Sequence, residues 1–255
     1  MVFLLSVVGV FGLCFGSFLN VVIYRLPRNE SIVFPGSHCP HCNANIAWYD
    51  NIPVLSWLLL GGKCRSCKEK ISGRYPLVEI ITALLLVAIV WKYGATSQSL
   101  VYIVLTLFLV PISFIDIDTK LILNKLTFPC FIVGIILVPL FHIVSWRSML
   151  VGGLGSGLIL WLIGVIGTLI FKKESLGFGD VKLIVIIGVY LGFPSVLIAF
   201  YFGVLIAGVY ILSALIGKRL HLGDILPFGP FIAIGTIVYL ILGDLIIDWY
   251  LLKIS

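Results

Sequence analysis

Gly177-Phe178-Gly179-Asp180 stands between a polar turn, Lys172-Lys173-Glu174, and an apolar run that resumes at Val181. A carboxylate therefore sits at the mouth of a membrane helix. A charge there costs roughly 2.5–3.5 kcal/mol on insertion scales and is found facing protein, water or a reaction. The two glycines allow backbone or substrate to approach closely. Working outward, a second acidic pair, Asp116-Ile117-Asp118, closes another apolar run that begins near Leu100. Carboxylates at matching ends of two apolar helices suggest an aspartic dyad, with Asp180 as one member and Asp116 or Asp118 as the other. The competing reading of Asp180 is a helix cap that accepts from the amides of Lys182 and Leu183. Capping does not explain an acid at a helix exit, where the dipole disfavours it. Asp224, Asp244 and Asp248 are weaker candidates.

Composition sets the frame for these acids. Of 255 residues, 61% are hydrophobic and 11% charged, and the mean hydropathy is +1.20, too apolar for a soluble globular protein. The reading is an all-α polytopic membrane protein, because only helices and closed barrels satisfy the backbone in lipid and the runs are too long for barrel strands. About eight helices are expected, near 1–23, 76–92, 99–116, 126–144, 149–171, 181–193, 195–216 and 229–252. The first run lacks a basic leader region and is read as a retained transmembrane helix. The net charge of +6 does not point to nucleic acid, since the basic residues are scattered through short loops. Residues 24–75 and the loops near 116–125, 172–182 and 217–228 hold 14 of the 17 Lys and Arg. That asymmetry places them on the cytoplasmic side and both chain ends outside. Membrane lipid is the expected surrounding.

Residues 24–75 are polar and rich in Gly, Pro, Asn and Ser, a small cytoplasmic insertion too short to bury a sufficient core without a staple. Cys39-Pro40-His41-Cys42 and Cys64-Arg65-Ser66-Cys67 supply one. Two C-x2-C pairs can close a tetrahedral zinc site, and a disulfide reading fits a reducing compartment poorly. The expected ligands are Cys39, Cys42, Cys64 and Cys67, with His38 or His41 as a substitute for one thiolate. A closed four-ligand site implies a structural zinc. Cys14 and Cys130, inside apolar runs, read as small buried hydrophobes. His38, His41, His142 and His221 form no hydrolase triad or HExxH motif. The run Gly152-Gly153-Leu154-Gly155-Ser156-Gly157 suits close helix packing or substrate approach, and Gly155→Leu is expected to harm activity.

Taken in order, Gly16-Ser17-Phe18-Leu19-Asn20-Val21-Val22-Ile23-Tyr24-Arg25-Leu26-Pro27, the two cysteine pairs, Asn51-Ile52-Pro53, Ile71-Ser72-Gly73-Arg74-Tyr75-Pro76-Leu77-Val78-Glu79, Ile115-Asp116-Ile117-Asp118, Gly177-Phe178-Gly179-Asp180-Val181-Lys182 and Pro227-Phe228-Gly229-Pro230 resemble the bacterial type IV prepilin peptidases, GxGD aspartic proteases that are also N-methyltransferases. The resemblance implies Asp116 and Asp180 as catalytic acids, with Asp118 a neighbour. It implies a prepilin or pseudopilin substrate cut on the cytoplasmic face of the bacterial inner membrane. It also implies methylation of the new N-terminus from S-adenosylmethionine, involving the end of the first helix, the zinc-binding insertion and Arg74, Tyr75 and Glu79. Residues 76–255 would then form the peptidase domain. The chain departs from the family in reading Ile122-Leu123-Asn124 where many members have Leu-Pro-Asp. Glu79, three residues into an apolar run, is a functional candidate by position alone, its alternative being a salt bridge to Arg74 or Lys70. A peptidase without methylation, a carboxylate-relay transporter and a non-enzymatic assembly factor are the rival classes.

Overall fold

The computed structural model describes residues 1–172, 176–219 and 226–254, without the side chains of residues 171 and 244–254. Lys173, Glu174, His221 and Asp224 lie outside the described residues, as do the side chains of Asp244 and Asp248. The described chain is helical: α1 (Val2–Arg25), α2 (Leu55–Leu59), α3 (Arg74–Tyr93), α4 (Ser97–Thr119), α5 (Asn124–Leu140), α6 (Trp146–Leu150), α7 (Ser156–Phe171), α8 (Phe178–Leu191), α9 (Ser195–Ile216) and α10 (Gly229–Ile254). A single π-helical turn, Val151–Gly155, fuses α6 to α7. Two isolated bridges, His38 to Asn45 and Lys63 to Lys70, are the β pairings among the described residues. Each of the eight expected apolar segments is helical. Among the described residues, five helices are long and apolar enough to cross a bilayer: α1, α3, α4, the fused α6–α7 and α9. The chain is a multi-pass membrane protein.

Two compact units divide the chain, Met1–Gly94 and Ala95–Ser255. In the first, α1 lies against α3 at a spacing set by two glycines four residues apart. A Cβ on Gly12 would stand 2.5 Å from the Ala83 Cα, and one on Gly16 would stand 2.6 Å from the Glu79 Cα. Small residues at this interval let membrane helices meet backbone to backbone.

In the second unit α8 is the central element. Val181, Leu183, Ile184, Ile186, Ile187, Gly188, Val189, Tyr190 and Leu191 are all buried, so the helix is covered on every side and shows no amphipathic stripe. Tyr190 is fully buried and donates its hydroxyl hydrogen to the Cys130 carbonyl at 3.0 Å, which satisfies its polar tip. The π turn lies against α8 through Gly152, whose carbonyl oxygen would be 2.1 Å from a Cβ on Gly188. On the other side, a Cβ on Gly235 of α10 would reach 2.3 Å from the Gly203 nitrogen of α9.

These contacts correct one expectation. A Cβ on Gly155 meets only the Val151 side chain, at 3.7 Å, so this position has room, whereas Gly152 and Gly188 touch through backbone that cannot yield. Gly188→Ala is expected to destabilise the second unit by about 1–3 kcal/mol through overpacking, and Gly155→Leu is expected to be nearly neutral. Thermal unfolding in detergent checks both: equal melting temperatures for Gly188→Ala and wild type would refute the contact.

Candidate active site

Helix α4 begins at a capping box in which Thr96 and Ser99 exchange side-chain and backbone hydrogen bonds. It runs to Thr119, one turn past the expected end, and stops where Lys120 takes a left-handed conformation and returns its amide to the Asp116 carbonyl. The last turn thus fixes two acids in opposite situations. Asp116 is 4% exposed and its Oδ2 accepts from the Gly229 amide at 3.0 Å; Asp118 is exposed. Choosing between them was beyond the spacing alone, because residues two apart on a helix point to different faces.

The Gly229 amide opens α10, so the carboxylate at the exit of α4 meets the positive end of another helix. The dipole penalty expected at a helix exit is offset in this way. A Cβ on Gly229 would lie 2.7 Å from Asp116 Oδ2 and 3.3 Å from Ile122 Cδ1. Gly229 had no role assigned from sequence; its signal was the Pro-Phe-Gly-Pro turn ahead of an apolar run. Gly229→Ala is expected to displace Asp116 and to lower the activity of this site by about 10–100-fold, the scale of an ångström misplacement; unchanged activity in a stably inserted variant would refute the role.

Asp180 also differs from its expected cap. The helix starts earlier, with Gly177 as its N-cap, so Asp180 is the third helical residue rather than the residue before the helix. Its carboxylate reaches back to the Gly177 amide, as the acid of a capping box does, and is 9% exposed. It does not cap the amides of Lys182 and Leu183. Asp116 lies close enough for its charge to act on Asp180. Ile122 joins the two halves: a Cβ on Gly179 would meet its Cβ at 3.0 Å, and its Cδ1 touches the Gly229 position. Gly179 and Gly229 therefore lack side chains where one isoleucine passes between the starts of α8 and α10. The neighbouring departure from the family is accommodated. Leu123 has a φ of −74°, within the range proline would impose, and Asn124 Oδ1 accepts from Lys182 Nζ at 2.9 Å.

In the first unit the four cysteines converge, their Sγ atoms all within 4.8 Å of one another. Cys39 and Cys67 Sγ are 3.8 Å apart, too far for a disulfide, and all are free thiols. The two C-x2-C turns are built alike. Asn43 donates to the Cys39 carbonyl and Lys68 to the Cys64 carbonyl, and both take left-handed conformations, at φ 55° and 61°. Neither His38 nor His41 belongs to the cluster; His38 Nδ1 lies 3.1 Å from the Gly36 carbonyl. The amides of Cys67 and Ser66 point at Cys64 Sγ and pull that thiol down to about 7. The Glu69 amide favours the Cys67 thiolate, but desolvation and the surrounding thiols outweigh it and push Cys67 up to about 12. Sulfurs that oppose one another's ionisation suit a divalent cation, which relieves the conflict. Arg65, within the second turn, donates to both Asp50 oxygens at 2.7 and 2.6 Å. This bidentate pair holds the Asp50 carboxyl below the usual range and ties the knuckle to the turn Trp48–Asn51.

Arg74, Tyr75 and Glu79 occupy the first turns of α3. The Tyr75 carbonyl accepts from Asn20 Nδ2 at 3.0 Å. Glu79 is 7% exposed, and its partners are neutral: the Val54 amide, 2.7 Å from Oε2, and the Ser17 hydroxyl. Val54 is itself unusual, a β-branched residue at φ 60°, ψ −50° with Leu55 donating to the Pro53 carbonyl at 2.6 Å. This is a classic γ-turn, a strained form held by a buried carboxylate. Cys14 is exposed rather than buried, whereas Cys130 is buried as expected.

Known proteins resemble both parts of the chain. Residues 10–93 match the bacterial peptidase A24 N-terminal domain, and residues 103–212 match the type IV leader peptidase family. A prepilin leader peptidase/N-methyltransferase of Aeromonas hydrophila is 36% identical, over 96% of this chain and 93% of its own length. Proteins of the same name from Pseudomonas aeruginosa and Neisseria gonorrhoeae are 34% and 33% identical, covering 94% and 98% of this chain and 91% and 95% of their own lengths. No solved structure matches the chain. With both family domains present in order and relatives aligned almost end to end, the chain belongs to the type IV leader peptidase family.

Proposed function

We propose that this protein removes the leader peptide from type IV prepilins or pseudopilins through a dyad of Asp116 and Asp180, and methylates the N-terminus it exposes. The observation that carries the peptidase reading is the burial of these two acids at neighbouring helix ends while Asp118 is exposed. Two close carboxyls hold one proton between them. The ionised member takes a proton from water, which attacks the scissile carbonyl; the protonated member supports the carbonyl oxygen and then the leaving amine. The Gly229 amide orients Asp116, and the Gly177 amide orients Asp180.

Cys39, Cys42, Cys64 and Cys67 would hold a zinc ion that closes the insertion 24–75 and leaves no open position for chemistry. S-adenosylmethionine would supply the methyl group, with the insertion and the first turns of α3 as the methylation region and residues 76–255 as the peptidase domain. Eight passes, counting α5, α8 and α10 beside the five long spans, put both chain ends outside. The Lys and Arg distribution then places the insertion and the dyad on the cytoplasmic side of the inner membrane.

The test is incubation of the purified chain in lipid with a prepilin and S-adenosylmethionine, followed by mass spectrometry of the product. The expected product lacks its leader and carries one added methyl group. An uncut prepilin would overturn the reading; a cut but unmodified product would leave a peptidase alone.

A further inference from the structure

The methyltransferase reading leaves open where the donor and the amine meet, and one cavity in the first unit has the chemistry for it. Its volume is about 360 Å³, and Cys14, Ser17 and Arg25 of α1 line it together with Val33, Asn51 and Pro53 of the insertion. These α1 positions recur at helical spacing, so one face of the helix forms a wall. Arg25 is 7% exposed. Its guanidinium donates to the carbonyls of Ser31 at 3.0 Å and Gly36 at 3.1 Å, yet the ion pair found among the described residues is that of Arg65 with Asp50. A buried cation without a counter-charge is costly, and this one lines a space of ligand size. Behind the wall stands a buried carboxyl: Glu79 accepts from Ser17, which lines the cavity, and from Val54, which follows the lining residue Pro53. Helical rise separates Ser17 from Arg25 by roughly 12 Å, and a long arginine side chain leans toward the helix N-terminus. Both polar ends then come within the span of one amino-acid nucleoside.

We infer that this cavity binds the methyl donor, with Arg25 pairing its carboxylate and the Ser17–Glu79 pair serving the sulfonium end, where the substrate amine arrives. The inference rests on the methyltransferase reading and gives it a site. The neutral amine attacks the methyl carbon. The C–N bond forms as the C–S bond breaks, and that electron pair stays on sulfur, which leaves as a thioether. The alkylated nitrogen then loses a proton to the Ser17 oxygen as the Ser17 hydroxyl proton passes to Glu79. Val54, held in its γ-turn by the same carboxylate, keeps Glu79 aimed at Ser17.

Cys14 offers a readout independent of turnover, since its exposed thiol lines the cavity. Alkylation of Cys14 in the full-length, zinc-loaded protein is followed by peptide mass spectrometry with S-adenosylhomocysteine, inorganic phosphate or anionic lipid vesicles added. At ten times its dissociation constant, S-adenosylhomocysteine is expected to slow the reaction about tenfold, with this protection lost in Arg25→Gln. Glu79→Gln is expected to keep the protection and the KM for the donor while its kcat for methylation falls about 100-fold. Leader cleavage should persist in both variants. If Arg25→Gln fails to insert, wild-type protection and the Glu79→Gln split between KM and kcat still decide. Donor-dependent methylation with Cys14 unprotected overturns the cavity assignment alone. Protection by phosphate or lipid but not by S-adenosylhomocysteine assigns the cavity to a headgroup and also overturns it. A wild type that cleaves but never methylates overturns the methyltransferase reading and the inference with it.

Discussion

Asp116→Asn and Asp180→Asn are each expected to lower leader cleavage by about a thousandfold, within the range attributed to a single general acid or base. Asparagine preserves the volume and can still accept from the Gly229 or Gly177 amide, so the helix ends should hold and the variants should insert normally. What is lost is the ability to take or give a proton. Asp118→Asn is the internal control. Its parent is exposed, and most surface substitutions change little, so its activity should stay close to wild type. Cleavage of a purified prepilin in membranes separates the possibilities. If Asp180→Asn still cuts, Asp180 is only the acid of a capping box. If Asp118→Asn is the dead variant, the dyad has been assigned to the wrong residue of the pair.

The second large effect concerns the cysteine cluster. Cys39→Ser or Cys64→Ser is expected to release the metal and unfold the insertion, because structural zinc binding contributes about 10–16 kcal/mol in small zinc domains. A serine hydroxyl is a poor substitute for a thiolate. Bound zinc measured by atomic absorption should fall from about one per chain to near zero, with methylation lost alongside it. Acid should act the same way: zinc leaves as pH falls, because protons compete for the thiolates the metal needs. Full zinc content in Cys64→Ser would break the four-thiolate assignment. The Asp50–Arg65 pair should respond to pH in the same sense. Its carboxyl is held below its unfolded value, so its support is present above that value and fades as pH falls through the folded one.

Much of this architecture was legible in one dimension. Membrane-length apolar runs announce helices without tertiary help, because lipid leaves the backbone no other satisfied conformation, and all eight expected segments are helical. The cysteine knuckles were equally local, each built from a few consecutive residues, and the four sulfurs converge as the spacing implied. The boundaries that moved were helix ends. Asp116 proved to lie inside a last turn and Asp180 inside a first turn, since an apolar run marks where lipid begins and not where hydrogen bonding does.

The partners of the acids were a different matter. Gly229 is 113 residues from the Asp116 carboxylate it serves, and Val54 is 25 from Glu79. Nor could composition rank Gly188 above Gly155, although a Cβ on one would strike backbone and on the other would make only an ordinary contact with the Val151 side chain. A helix apolar on every side, as α8 is, carries no periodicity to say which face meets which neighbour. The sequence by itself determined a helical membrane protein with two acids at helix ends and a four-thiol knuckle, because those features follow from hydropathy and short spacing. Only the tertiary structure decided that Asp116 rather than Asp118 is the buried acid, that the start of α10 stabilises it, and that Glu79 stands behind a cavity wall. Each of these depends on backbone groups brought together from distant parts of the chain, which no local pattern encodes.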